Sequence, residues 1–252
     1  MVRYLFAILI FVFSGSAFAF AQSEGKMMRV STGTGFFVNS AGYFITNQHV
    51  VDNCQKIMFR GTTNSDQVEL VAADATQDLA ILRMKENPKF TAPMRVNDGL
   101  QKDDDVMVIG YPKDAIFKGH YVIRTAQVID TKGPQGEDHW VQFTDSAQHG
   151  NSGGPLLDGS GNVIGVVTGK MTMYDPSDPE GTVRKADIAV RVPILKRFMD
   201  SHSVPYDNLI SNDDFVRLRR IDTADLERNA GKFITGVVCM QGEVEDPAAV
   251  TQ

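Results

Sequence analysis

The sequence predicts an all-β protein of antiparallel strands, and three observations predict it. Short apolar runs rich in Val, Ile and Phe recur along most of the chain, each closed off by Gly, Pro, Asn, Asp or Ser. Helical periodicity is nearly absent before residue 192, so the crossover helices of parallel βαβ units are missing. Residues 33–46 and 154–168 also repeat one plan of glycine-led strand, polar turn and apolar strand, a weak internal duplication that suggests two similar halves. A barrel or a sandwich satisfies all three.

The chain opens on a stretch unlike the rest. Arg3 precedes an apolar run over residues 4–13, Ser14-Gly15-Ser16 breaks it, and Ala19-Phe20-Ala21 supplies the small residues of a cleavage site. This is the layout of a secretory signal peptide over residues 1–21, with Gln22 as the first mature residue. The run is short for a membrane span, which needs about 20 apolar residues. An exported, periplasmic or secreted protein is therefore expected, with an uncleaved anchor as the lesser alternative.

Residues 33–38 read as a strand, Asn39-Ser40-Ala41-Gly42 as a turn and residues 43–46 as the returning strand. Asn47-Gln48-His49-Val50-Val51 closes this segment. Further strands are expected at residues 56–59, 67–72, 79–84 and 105–109. Gly110-Tyr111-Pro112 punctuates, and the pattern resumes at 121–130 and 140–144. The second hairpin turns at Asp158-Gly159-Ser160-Gly161. Residues 192–202 put Ile194, Leu195, Phe198 and Met199 on one helical face, and Val204-Pro205 stops that helix. A second helix at 223–233, capped by Asp222 or Thr223, precedes a strand at 234–240 carrying Cys239.

At 252 residues, 42% hydrophobic and 22% charged, the chain has enough apolar material for a large core. A net charge of −6, with no basic grouping beyond Arg217, Arg219 and Arg220, argues against a nucleic-acid partner. Two cysteines and scattered histidines offer no metal-ligand set, and no cofactor is expected. In an oxidising compartment Cys54 and Cys239 are either a disulfide pair or two buried thiols.

Gly150-Asn151-Ser152-Gly153-Gly154-Pro155-Leu156 is the segment with chemistry in it. Glycines let the backbone fold back tightly, so Ser152 can expose its hydroxyl while neighbouring N–H groups point the same way. That suits a nucleophile beside an oxyanion hole. His49 ends an apolar hairpin strand, where an imidazole can face a cleft and take the serine proton. Asp78 leads into an apolar strand and is placed to orient that imidazole, with Asp74 as the competing acid.

Three segments in this order resemble the signatures of trypsin-like serine peptidases: Thr46-Asn47-Gln48-His49-Val50-Val51, Asp78-Leu79-Ala80-Ile81-Leu82, and Gly150-Asn151-Ser152-Gly153-Gly154-Pro155-Leu156. Gly33-Thr34-Gly35-Phe36 and Gly110-Tyr111-Pro112 bring it near the bacterial Do-like (HtrA-type) branch. The resemblance covers residues 30–205. It implies the chymotrypsin fold of two six-stranded antiparallel barrels, one at about 27–112 and one at about 119–192, followed by the 192–202 helix. Residues 206–252 form a short α+β extension, too short for the PDZ domain that branch usually carries. A triad of His49, Asp78 and Ser152 is implied, with an oxyanion hole from the N–H groups of Gly150 and Ser152. Ser146, Thr168, Gly169, Lys170, Asp187 and Ala189 would line the substrate pocket.

There are departures. Asn151 stands where digestive relatives have an aspartate that pairs with a newly cut N-terminus, so activation by that ion pair is not expected. The run ahead of the nucleophile, residues 144–149, is one residue short of the usual pattern. The small pocket residues favour small or medium apolar side chains at the cleaved position, but Asp187 could attract a basic one or neutralise Lys170. The expected function is an exported serine endopeptidase acting on proteins or peptides through an acyl-enzyme. The alternative is a binding module on the same fold. An α/β-hydrolase is rejected, because its acid and histidine follow the serine and only His202 lies downstream. If the tail strand packs back on the first barrel, a Cys54–Cys239 bridge would brace the loop that holds His49.

Overall fold

A computed structural model describes residues 27–96, 99–174, 183–206 and 223–244. The expected leader at 1–21, Asp222 and most of the basic and acidic tail fall outside them. Among the described residues, no helix is long and apolar enough to cross a membrane.

Five strands open the chain: β1 (Met27–Phe37), β2 (Tyr43–Thr46), β3 (Lys56–Arg60), β4 (Val68–Asp74) and β5 (Leu79–Met84). Between β2 and β3 lies a single helical turn, α1 (Gln48–Val51). His49 is therefore on a short helix and not at the end of a strand. Four residues cannot display a helical period, so periodicity alone could not have found it.

Six more strands follow: β6 (Asp105–Gly110), β7 (Val122–Asp130), β8 (Trp140–Phe143), β9 (Pro155–Asp158), β10 (Val163–Tyr174) and β11 (Val183–Arg191). They close into a barrel in the order β10-β11-β8-β7-β6-β9. Then come α2 (Val192–Ser201), α3 (Thr223–Ala230) and β12 (Ile234–Val244). All named strand pairs are antiparallel.

The first sheet runs β3-β12-β1-β2-β5-β4, six strands with the last one drawn from the end of the described chain. It curls until β3 and β4, its two outer strands, come together across the 61–67 turn, so it too is barrel-like. The architecture is all-β with two six-stranded barrels, as expected, but the seam differs. β6 pairs with β7 and β9, so residues 105–110 belong to the second barrel and not the first. Gly110-Tyr111-Pro112 leads into the β6–β7 connection; it is no boundary. An apolar strand such as β6 carries nothing in its own residues that names its partners.

β12 is an interior strand, paired with β1 on one side and β3 on the other, so the tail is a structural part of the first barrel. Cys239 on β12 is fully buried and bonded to Cys54, just past α1, with Cα atoms 5.4 Å apart. The Gln55 N–H donates to the Met240 carbonyl at 2.8 Å and Gln241 Nε2 to the Asp52 carbonyl at 2.8 Å, fastening the same two segments.

Each barrel has its own filling. Phe37, Phe44 and Phe59 pack edge-on or tilted inside the first, with Ala80, Leu82 and Val237. Val106, Val141, Phe143, Leu156 and Ala189 fill the second. A third cluster joins them, running from Ile45, Leu79 and Ile81 through Ile109 and Val190 to Phe198 of α2 and Leu226 of α3. Burying a side chain of this kind stabilises by about 1.5–3 kcal/mol, and this shared layer fixes how the two barrels face one another.

Candidate active site

The base side hangs on the first barrel. Asp78 ends the turn before β5 at φ +51, a left-handed position that Asp tolerates better than most residues. Its carboxylate grips α1 twice: Oδ1 accepts the His49 backbone N–H at 3.1 Å, and His49 Nδ1 lies 3.0 and 2.9 Å from Oδ1 and Oδ2. A carboxylate only accepts, so Nδ1 is the protonated, donating nitrogen, and in the neutral ring the lone pair is on Nε2. The His49 side chain is 47% exposed and that of Asp78 15%, so the ring is reachable while its partner is largely covered. Asp74, the competing acid, is spent elsewhere: Oδ1 accepts the N–H groups of Thr76 and Gln77 at 2.8 and 3.0 Å, capping the turn.

Asn47, fully buried, was quoted in the motif but given no task. Its Nδ2 donates to the Asp78 carbonyl at 2.7 Å and to Thr168 Oγ1 at 3.3 Å, so it ties the base side to the second barrel. An Asn at a helix N-cap was the available signal, but this side chain does not cap.

The serine side is held by peptide groups. Gly150 has φ +103, and a Cβ there would lie 2.2 Å from the Tyr111 carbonyl oxygen and 2.7 Å from the Lys113 nitrogen, so only glycine fits. The His149 carbonyl accepts the Lys113 N–H at 3.0 Å, and the Asn151 N–H donates to the Gln148 carbonyl at 2.9 Å. In a trans peptide the C=O and N–H point opposite ways, so pinning His149 O turns the Gly150 N–H away from Lys113. Among the described residues, no acceptor meets the N–H of Gly150 or of Ser152. Two unpaired N–H groups flanking one that is bonded back form a concavity suited to an anion.

The Ser152 hydroxyl donates to the Thr168 carbonyl at 3.1 Å, and no hydrogen bond joins it to His49. Thr168 sits at an irregularity in the β10–β11 register, and the same residue takes Asn47 on its hydroxyl. The structure thus brings Ser152 and the His49–Asp78 pair to one seam, linked through Thr168 and Asn47.

The expected pocket residues divide. Asp187 is fully buried, and its Oδ2 accepts the N–H groups of Ser146 and Ala147 at 2.7 and 2.6 Å. Burial pushes its carboxyl above the ordinary range, against the pull of those two N–H groups and of Lys170. Lys170 Nζ is 3.9 Å from Asp187 Oδ1 and pairs closely with Asp145, an ion pair the sequence reading did not identify. Gly169 borders open space. Ala189 is fully buried in the filling of the second barrel, two residues after Asp187 on the same face of β11.

Comparison with known proteins agrees with this architecture. An uncharacterized protein of Sinorhizobium fredii, y4bJ, is 32% identical over 211 residues, 83% of this chain and 32% of its own length. A probable periplasmic serine endoprotease, DegP-like, of Rhizobium meliloti is 31% identical over 187 residues, 71% of this chain and 35% of its own. The chain thus spans about a third of these relatives' length. Among solved structures, the serine endoprotease from Yersinia pestis matches with a TM-score of 0.54 at 23% identity, over 68% of this chain and 57% of that one, a likeness of fold. The family profile for the trypsin-like peptidase domain matches residues 33–166, more than half of the 252, and the chain belongs to that family.

Proposed function

We propose that this protein is an exported serine endopeptidase that cleaves peptide bonds through Ser152, His49 and Asp78. The observation that carries the reading is the Asp78–His49 pair, oriented with Nε2 free at the seam that also holds Ser152 and two unpaired N–H groups. In the proposed cycle Ser152 Oγ turns from Thr168 to His49 and attacks the substrate carbonyl, while Nε2 takes its proton. Asp78 stabilises the imidazolium, and the N–H groups of Gly150 and Ser152 receive the negative oxygen. Collapse breaks the C–N bond, and the proton passes from His49 to the leaving amine. Water then attacks the acyl-Ser152 ester by the same route, returning free serine and a carboxylic acid.

Asp187 enters as the clamp of the 146–147 segment, and Lys170 is balanced by Asp145. Small or medium apolar side chains are therefore the proposed preference. Export to the periplasm or beyond rests on the leader pattern and on the name of the R. meliloti relative.

A second reading, a binding module, has one observation in its favour: the hydroxyl rests on Thr168 and not on His49. Incubation with a peptide library, followed by mass analysis, separates the two. The peptidase reading expects new termini that vanish with Ser152→Ala; an uncut library contradicts it, and so does identical cutting by both proteins.

A further inference from the structure

We infer that Thr34 is a positioning residue for the oxyanion donors Gly150 and Ser152, holding the peptides that follow them from across the seam on the first barrel. This rests on the peptidase reading above. The motif Gly33-Thr34-Gly35-Phe36 was conspicuous in the sequence, and nothing in the triad uses it.

The carbonyls of the nucleophile segment can be accounted for one by one. His149 O is held by Lys113 N and Asn151 O by Gly154 N, at 3.0 and 2.9 Å. The other two, Gly150 O and Ser152 O, are both held by Thr34. Its hydroxyl donates to Gly150 O at 2.6 Å, and its backbone N–H donates to Ser152 O at 2.8 Å. The hydroxyl has no freedom to do otherwise, because Oγ1 also accepts the Tyr111 N–H at 2.8 Å and an N–H can only donate. Thr34 O in turn accepts the Thr46 hydroxyl at 2.7 Å. Thr34 is fully buried, and so are Thr46 and Tyr111.

The strand is built to deliver this contact. The β1–β2 backbone pairs are Phe36↔Ile45 and Phe37↔Phe44, so at Thr34 the N–H is left to face Ser152 O, while the carbonyl takes the Thr46 side chain of β2 and not its backbone. A Cβ at residue 33 would lie 2.6 Å from Val50 Cγ2 and 2.9 Å from Ser152 O, and one at residue 35 only 2.2 Å from Ile45 O. The flanking glycines thus allow β1 to come this close. A peptide whose carbonyl is fixed has its plane fixed, so Thr34 sets the 150–151 and 152–153 peptides, which follow the two oxyanion donors. Lys113 and Gly154 hold the carbonyls of the peptides that carry the Gly150 and Ser152 N–H groups. The donor residues are thus fixed from both sides, and Thr34 supplies the C-terminal side. Donors held before the charge develops act without reorganising, which is where electrostatic stabilisation of a transition state is gained.

The test compares Thr34→Ala, which removes the hydroxyl, with Thr34→Ser, which keeps it. Per folded molecule, Thr34→Ala should lower kcat by about 10- to 100-fold, up to the effect of a misplacement of about 1 Å and below the roughly 10²–10³ of an oxyanion donor lost outright. KM should stay within about threefold, since the contact serves the transition state and not the substrate. Affinity for a peptide aldehyde, whose hemiacetal oxygen occupies the same N–H groups, should fall with kcat, and Thr34→Ser should restore both. Thr235→Ala serves as the control for a merely structural hydroxyl: Thr235 is fully buried but bonds the 60–63 turn, so its loss should lower Tm and leave kcat alone. If Thr34→Ala does not fold, Thr34→Cys, with its weaker donor, takes its place. Unchanged kcat in the hydroxyl-free variant, or failure of serine to restore it, overturns the inference. A wild-type protein that neither turns over peptides nor binds the aldehyde overturns the peptidase reading beneath it.

Discussion

The two barrels reach the same strand count by different routes. The second closes on itself from β6 to β11, all within residues 105–191. The first takes five strands from residues 27–84 and its sixth, β12, from residues 234–244, then fastens it with a disulfide across a sequence separation of 185. The proposed nucleophile sits on the self-contained barrel, and the proposed base sits on the barrel that needs the tail. The base side is joined by side chains, the serine side by backbone groups. The two halves of the site should therefore fail in different ways.

On the serine side the largest effect is expected. Ser152→Ala should lower kcat by on the order of 10⁵–10⁶-fold, as when any member of a coupled nucleophile–base unit is removed. The melting curve should hardly move, because the lost hydroxyl makes one partly exposed hydrogen bond. On the base side, Asp78→Asn should cost about 10⁴-fold in kcat by favouring the wrong histidine tautomer. Asp74→Asn should leave kcat near wild type and only loosen a turn. Comparable losses from both aspartate variants would mean that the pairing of Asp78 with His49 is not what matters.

Cys239→Ala probes the dependence of the first barrel on β12. Cross-links of this kind typically contribute about 2–5 kcal/mol, so the variant should melt earlier. Activity should decline before the second barrel unfolds, since Cys54 follows the turn that carries His49. Simultaneous loss of both barrels in a hydrogen-exchange experiment would show that the shared apolar layer, and not the tail, sets their stability.

Asp187 provides the smallest effect, on the second barrel. Burial holds its carboxyl above 3.8, so over the window just above 3.8 the folded chain keeps a proton that the unfolded chain has lost. The contribution of this group to stability therefore falls as pH rises through that window. Lys170 on β10 and Asp145 in the β8–β9 loop face it and set the background; Lys185 on its own strand acts on Asp145. Asp187→Asn should flatten this part of the pH–stability curve, and an unaltered slope would refute the account of the buried carboxyl.

Much of this was legible beforehand where a single element carried its own signal. Leu79–Met84 was delimited by its apolar run, both glycine-led hairpins by their turns, and α2 by one apolar face. The three motif segments named the residues that meet at the seam. What escaped was relational. β11 begins Val183-Arg184-Lys185 and buries an aspartate, so it has no apolar run to read. β6 looks alike whichever barrel receives it, and although a tail strand bridged from Cys239 to Cys54 on the first barrel was expected and is found, nothing in residues 234–244 says that they enter between β1 and β3. Thr34 and Asn47 are polar residues whose task appears only when the partner, over a hundred positions away, is in view.

The central claim is that His49 and Ser152 act as one unit across the seam between these unlike barrels. A fluorophosphonate probe with peptide mapping tests it most directly. Wild-type protein should carry the phosphonyl group on Ser152 alone, and His49→Ala should lose that labelling while remaining folded. Labelling of Ser152 at an undiminished rate in His49→Ala, or labelling of a different residue in the wild type, would contradict the account.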